Sequence, residues 1–396
     1  MRQSMMLKFP LKEYEDRLRK IGLEMGKRGL DALILTSDDN PFYFCGFQSI
    51  VWDSKVSTPC VLVITRNGDM AISTSRSGRE TAKVTSCVED IRFYTRDGGK
   101  DGGYATFAKT ITSLLVEKKL AGGRIGMEFT NGTKMHLTHL QREDLFKELA
   151  GAELVDCSDA LWAVRSIKSS LEINFLRKCC RINHEGISAG YAAVHEGMTE
   201  LELYRTIVID YFRKGADRSL LLGIRAGNDR YSQGNCPPSD RPIGRGEIIL
   251  VDGGPICDGY YSDIIRQGVV GKPTERQLDM FNVARDACYA GIEAMRPGER
   301  IGDVCVAVDD FIARSPYAEF SAAKGHCGHS IGTGVHEFPM LDADCDLLLL
   351  PGMVFAIEPF FFQNNVGSLG IEENLLITET GYENLTPSPS GMIIID

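Results

Sequence analysis

Two apolar stretches, EIILVDGGPICDGYYSDIIRQG and MVFAIEPFFFQNNVGSLGIEENLLIT, carry carboxylates within what otherwise reads as buried β-strand. In the first, Ile248 to Gly253 and Tyr260 to Arg266 flank the turn candidate Ile256-Cys257-Asp258-Gly259. A hairpin centred there sets Asp252 opposite Asp263, and opposed residues of antiparallel strands share a face about 5 Å apart. Two such carboxylates repel unless a proton or cation lies between them, and an unpaired charge in an apolar strand is costly. The second stretch repeats the pattern, because Glu358 and Glu372 are equidistant from residue 365 in the Asn364-Asn365 turn region. They can face each other across a second hairpin, whose longer loop leaves the register freer. Glu358 beside Pro359 also reads as a solvated strand end, and Glu373 competes with Glu372 as the inward acid.

Between the acid pairs lies KGHCGHSIGTGVHEFP, which places His326, His329 and His336 within eleven residues of a chain that has seven histidines. An imidazole neutral near pH 7 supplies a nitrogen ligand or a proton-transfer group, and glycines at 325, 328, 332 and 334 permit close backbone approach. One histidine with four carboxylates suits two divalent ions of the Mn, Co, Fe or Zn group. So much oxygen argues against a closed structural zinc site.

The rest of the chain supplies a frame for these strands. Its 396 residues, 43% hydrophobic, can bury two domain cores. A formal charge of -10 opposes binding to nucleic acid or to an anionic membrane. Twelve cysteines without a CxxC pair, with Cys179 and Cys180 reading as small core residues, fit a reducing compartment. No apolar run reaches 18 residues and no leader pattern opens the chain, so a soluble cytoplasmic protein is expected.

Residues 1–160 alternate helix and strand: a helix over 11–28, a strand from Leu30 to Leu35 running into a polar turn, a hairpin turning at Asn67-Gly68, then further helices near 104–118 and 133–149. The glycine-rich run at 98–103 lacks the Lys-Ser/Thr ending of a phosphate loop and reads as an ordinary loop. A second, larger domain is expected over 161–396. It opens with a long helical region in which Leu171, Phe175, Ile182 and Ile187 keep helical spacing. Helices near 199–214, 274–295 and 301–312 follow among β-rich stretches, and no internal repeat is visible. The expected class is an α/β domain followed by an α+β domain with helices covering one side of a sheet.

Taken together, VDGG…YYSDIIR, GHSIG, VHEFP, GMVFAIEP and GIEENLLIT resemble the signatures of the pita-bread metallohydrolases: aminopeptidase P, proline dipeptidase and methionine aminopeptidase, with the related creatinase. The resemblance covers nearly the whole chain, and residues 1–160 resemble the smaller creatinase-type domain, which a minimal methionine aminopeptidase lacks. It implies that Asp252 is a terminal ligand of one metal and Asp263 a bridge, that His329 and Glu358 hold the other metal, and that Glu372 bridges. It makes His336 a non-ligand that stabilises the tetrahedral intermediate, while His326 is left as a substrate contact, a supporting hydrogen-bond partner or a packed residue.

Two departures touch the substrate shell. In GNCPPSDR, Asn235 stands where the family pattern has a substrate-binding histidine, and Asn cannot gain a proton. Gly370 stands where an arginine commonly precedes the bridging glutamate by two residues. Arg225 and Arg230, in LLGIRAGNDRYSQ, could bind a substrate carboxylate or could be solvated, and Trp52 in FQSIVWDSK could rim a cleft or pack at the surface. The resemblance implies hydrolysis of a small peptide or peptide-like amide, an Xaa-Pro dipeptide being the leading case. The attack would come from a hydroxide bridging two ions, Mn²⁺ first among candidates, with Glu358 as proton shuttle. Creatinase-like hydrolysis or lyase chemistry on a small nitrogenous osmolyte is the alternative, and a non-catalytic interaction module is a further one. Family analogy also implies a homodimer.

Overall fold

The computed structural model describes residues 1–396 apart from 55–58, 96–105, 131, 231–235, 323 and 388–390. Asn235 and the glycine-rich run at 98–103 therefore lie outside the described residues. The chain forms two compact units, Met1–Arg165 and Ser166–Asp396.

The first unit is built on a six-stranded mixed sheet in the order Asp90–Tyr94, Met70–Ser75, Val61–Thr65, Ala32–Leu35, Arg124–Met127 and Glu153–Asp156. The Asn67-Gly68 hairpin forms as the sequence predicts, with Val61 opposite Ser73 and Gly68 at φ 87°. Helices Thr106–Glu117 and His139–Glu148 place Phe107, Ile111, Leu115 and Leu145 against Ile34, Val63 and Ile125. The polar run after Leu35 is not an open turn but the buried helix Asp39–Cys45. Glu128, from a distant strand end, accepts hydrogen bonds from the Thr36 and Ser37 amides and from Asn40 Nδ2. That partner lies some ninety residues away, so local pattern could not reveal it.

Helix Ser158–Arg165 ends in the first unit, where Arg165 binds Asp39 and Asn40. The long helix Ser170–Ala193 starts afresh with a capping box in which Ser169 and Glu172 satisfy each other's amides. Its buried stripe runs through Leu176, Cys179, Cys180, Ile182, Ile187 and Tyr191, whereas Leu171, an expected core position, is exposed.

Two sheets organise the second unit. Ile393–Ile395, Ile264–Val270, Ile248–Cys257 and Arg218–Ala226 form one, with Tyr260–Tyr261 paired to Ile248–Cys257. Helices Ser170–Ala193 and Glu200–Arg213 cover its face through Ile182, Leu203 and Tyr211 on Ile224, Val251 and Ile264. Glu337–Asp342, His326–Ser330, Val354–Ile357, Glu373–Ile377 and Tyr382–Asn384 form the other. Helices Glu275–Ala294 and Ile301–Ala313 cover it through Met280, Cys288 and Val308 on Phe355, Ile357 and Leu375. Each half thus runs helix, helix, then strands bearing two acids: a repeat of element order that residue identities conceal. Among the described residues, no helix is long and apolar enough to cross a membrane.

Strand alternation now decides which residues leave the helix-covered faces. Val251 and Ile249 face the helices, so Asp252 faces away. Phe355 and Ile357 face their helices, so Glu358 continues on the other side. Glycines in the left-handed region adjoin two of the site residues: Gly253 (φ 117°) follows Asp252, and Gly328 (φ 148°) precedes His329. A Cβ at Gly253 would lie 2.2 Å from the Leu221 carbonyl oxygen on the neighbouring strand. Gly253→Ala is therefore expected to destabilise the fold by about 2–3 kcal/mol and to displace Asp252. Chemical denaturation together with metal stoichiometry checks this, and near-native stability with full metal content would contradict it.

Candidate metal centre

The first hairpin turns on Asp258 (φ 53°) and Gly259 (φ 86°), one residue later than the sequence-based centre. The turn pairs Asp252 with Ile265 instead of Asp263. Moving a hairpin centre by one residue moves the partner by two, and two residues is one full pleat, so Asp263 still shares the face of Asp252. The second hairpin keeps the expected register: Phe360 opposes Gly370 and Ile357 opposes Glu373, which brings Glu358 level with Glu372 where the ladder opens. Glu373 is the outward acid of the two, on the helix side, bound by Arg266 and Thr386.

Asn374 stitches the two sheets together. Its side-chain oxygen accepts from the Asp263 amide at 3.2 Å, and its Nδ2 donates to the Asp263 carbonyl at 2.5 Å. Beside it the Glu372 amide donates to the Ile265 carbonyl. Neither link shows in the sequence, since an Asn in an apolar strand announces burial without naming its partner.

These links bring the site residues together in overlapping groups. Asp252, Asp263 and Glu372 offer ligand atoms all within 4.8 Å of one another; so do His329, Glu358 and Glu372, and so do Asp263, His329 and His336. His329 Nε2 lies 3.5 Å from Glu358 Oε1, 3.8 Å from Glu372 Oε1 and 3.9 Å from Asp263 Oδ2. Those gaps are too long for hydrogen bonds and a little wider than the roughly 3.0–3.4 Å that separates donors sharing one ion at bond lengths near 2.1 Å. His329 Nδ1 donates to the Ser330 carbonyl at 3.0 Å, which fixes the tautomer and turns the Nε2 lone pair toward the carboxylates.

Among the described residues, four buried atoms in this cluster, Asp263 Oδ1, both Glu372 carboxylate oxygens and His329 Nε2, have no hydrogen-bond partner. Buried polar atoms are rarely left so, and this donor set fits two divalent cations. Burial, and then the charges of neighbouring acids, push the carboxyls of Asp263, Glu358 and Glu372 well above the usual range. Lost hydration raises Asp252 too, against the opposing charge of Arg225. Burial pushes His329 down to about 3, with the nearby His336 adding to the effect. A neutral imidazole among crowded acids is ready to ligate.

Around the cluster, the ring of His336 packs edge-on against His329 with centroids 4.3 Å apart. The turn that carries it is held by Glu337, which accepts from Thr333 Oγ1 and the Gly334 amide and pairs with Lys168 at 3.3 Å in a fully buried contact. His326 Nδ1 contacts Asp342 Oδ1 at 2.6 Å, and the ring lines a small recess with Glu358, Ser321 and Phe360. Arg230 is taken up by the buried Glu200, whereas Arg225 is itself buried and lies on a strand, not in a solvated loop. Trp52 belongs to the first unit, in the short turn Ile50–Asp53, edge-on to Phe47 at 5.1 Å.

Residues 174–379 match the model of metallopeptidase family M24, and residues 17–167 match that of the creatinase/prolidase N-terminal domain. The chain belongs to metallopeptidase family M24. YkvY of Bacillus subtilis (strain 168) is 30% identical over 281 residues, which cover 71% of this chain and 77% of that protein. An Xaa-Pro dipeptidase of Pyrococcus horikoshii is 26% identical over 96% of this chain and 99% of its own length. The crystal structure of dipeptidase PepE from Mycobacterium ulcerans superposes with a TM-score of 0.83 at 24% identity, covering 98% of this chain and 99% of that one. With the two-domain creatinase-like and pita-bread architecture and a cluster able to hold two ions, this M24 member is a metal-dependent hydrolase.

Without metal, the raised carboxyls of this M24 site keep protons that an unfolded chain has already released above about pH 4. The folded state then binds more protons, and stability falls as pH rises. His329 acts in the opposite sense, adding stability as pH climbs toward the ordinary histidine value of about 6.5, after which only the carboxyl effect remains. The thermal midpoint of chelated protein is expected to decline between about pH 6.5 and pH 8.5, and saturating Mn²⁺ should raise the midpoint and flatten the decline. A metal-free midpoint that holds or rises over this range would contradict the picture of the cluster.

Proposed function

We propose that the protein is an Xaa-Pro dipeptidase working with two divalent ions, Mn²⁺ by preference. The observation that carries this reading is that Glu372 belongs to both the Asp252–Asp263 group and the His329–Glu358 group. A shared carboxylate is what two adjacent ions need. Asp252 would then be the terminal ligand of one ion, His329 and Glu358 would hold the other, and Asp263 and Glu372 would bridge. Oxygen-rich donors favour Mn²⁺ over the softer Zn²⁺. The names of the matched dipeptidases support the substrate class.

When bound, such ions supply a water of lowered pKa and a Lewis-acid contact for the scissile carbonyl. The protein's part is to move protons and steady charge. Glu358, whose carboxylate stands 3.5 Å from His329 Nε2 and lines the recess beside His326, is placed to take a proton from the attacking water and hand it to the leaving prolyl nitrogen. His336 stands beside His329, where its imidazole can donate to the developing oxyanion. His326, steadied by Asp342, faces the Glu358 side of the site.

We further propose a homodimer in the cytoplasm. All twelve cysteines are free, which suits a reducing compartment. Ile50 is 92% exposed and Val51 47% beside Trp52, an apolar rim that could close over the cleft of a second copy.

Mn²⁺-loaded protein is expected to hydrolyse Ala-Pro and to lose that activity on chelation. His336→Ala should lower kcat by about 10²- to 10³-fold with two ions per chain retained by elemental analysis; undiminished kcat would remove His336 from the mechanism. Trp52→Ala should raise KM while metal content and far-UV circular dichroism stay unchanged. Analytical ultracentrifugation decides the dimer, since a fully active monomer across dilution would eliminate a contribution from the second copy.

A further inference from the structure

The strand Arg218–Ala226 runs antiparallel to Ile248–Cys257, with Gly223 directly opposite Asp252 and Arg225 opposite Leu250. Ile224 and Ala226 face the helices, so Arg225 projects to the same side as Asp252. Diagonal neighbours on one face are about 7–8 Å apart at the backbone, within reach of a long side chain. Gly223 offers no side chain in between, and Arg225 Nη2 reaches to 3.6 Å from Asp252 Oδ2.

At 3.6 Å that contact is an ion pair and not a hydrogen bond. Arg225 is only 7% exposed, its Nε is enclosed without a partner, and among the described residues its guanidinium donates no hydrogen bond. A guanidinium carries five N–H donors in a planar fork that matches a carboxylate. Arg266, the other buried arginine of this unit, is spent on the Ile265, Glu372 and Pro387 carbonyls and on Glu373. Nor can position 370 supply a guanidinium without a shift of the chain. A Cβ at Gly370 would stand 2.3 Å from Phe360 Cβ and 2.9 Å from the Pro359 carbonyl oxygen. Arg225 is therefore a built cationic group at the Asp252 edge of the metal cluster with its donors still to be used.

We propose that Arg225 is a specificity-determining residue whose guanidinium binds a carboxylate of the substrate next to Asp252, so that the site takes anionic peptides. The inference rests on the peptidase reading. A dipeptide can present the carboxylate in two places, at its C-terminus or on an acidic first side chain, and both would meet the same fork.

The test compares wild type, Arg225→Met and Arg225→Lys, each loaded with Mn²⁺ and checked for metal content, on Ala-Pro, Ala-Pro amide and Glu-Pro. Binding at the C-terminus predicts that wild type favours Ala-Pro over its amide by about ten- to hundredfold in kcat/KM. Arg225→Met should erase that preference at unchanged metal content, and Arg225→Lys should keep part of it. Binding of a side chain predicts the same pattern for Glu-Pro over Ala-Pro. If Arg225→Met lowers all three substrates by one common factor, or sheds metal, Arg225 merely balances the charge of Asp252 and the inference is overturned. Should wild type hydrolyse none of the three, the Xaa-Pro reading falls by itself. Calorimetric titration with the same peptides then still decides the inference, and equal affinities for acid and amide and for Glu-Pro and Ala-Pro overturn it.

Discussion

Four carboxylates gathered around one neutral imidazole are the constraint on which the second unit depends. Two like charges 4 Å apart repel by about 4 kcal/mol at the effective dielectric of a protein interior near its surface, and this cluster holds several such pairs. Protons relieve the repulsion when no metal is present, and burial, ahead of that repulsion, raises the carboxyls of Asp263 and Glu372. Cations relieve it better, because they also satisfy the orphaned oxygens of Asp263 and Glu372 and the nitrogen of His329. Two helix-backed sheets are then needed, since no single strand face can point four acids at one place. Asn374 and the Glu372 amide hold those faces together from behind.

The acids were legible in the sequence because strands alternate with a period of two. That period forgives errors: the first hairpin centre is off by one residue, yet Asp252 and Asp263 still share a face because the partner moves by a whole pleat. The midpoint between Glu358 and Glu372 survives the break between Ile357 and Phe360 because the two hairpin segments keep one register. Alternation could not say which of Glu372 and Glu373 faces in. That choice is made by Arg266 and Thr386, which take Glu373 on the other side.

What was illegible depends on contacts distant in sequence. Asp342 holds His326 across a hairpin whose register is irregular, and Lys168 reaches Glu337 from the approach to the long helix. The burial of helix Asp39–Cys45 rests on Glu128, and local polarity there suggested a turn. Arg225 read as one of two arginines near a loop. Only the pairing of its strand with that of Asp252, and the bare Gly223 between them, separates it from Arg230.

The metal cluster and the groups around it therefore obey different rules. The candidate ligands are set by strand faces and by mutual repulsion, so replacing one would leave an uncompensated charge or an unfilled coordination position. Surrounding groups answer only to the shape and charge of what enters. At Gly370 the chain closes directly on Phe360, which excludes a side chain from that edge, while Arg225 brings a cation to the edge beside Asp252. Such a rearrangement leaves the four acids and the imidazole in place. It changes the direction from which an anionic group can approach them, and so bears on which amide is presented to the centre more than on how that amide is cleaved.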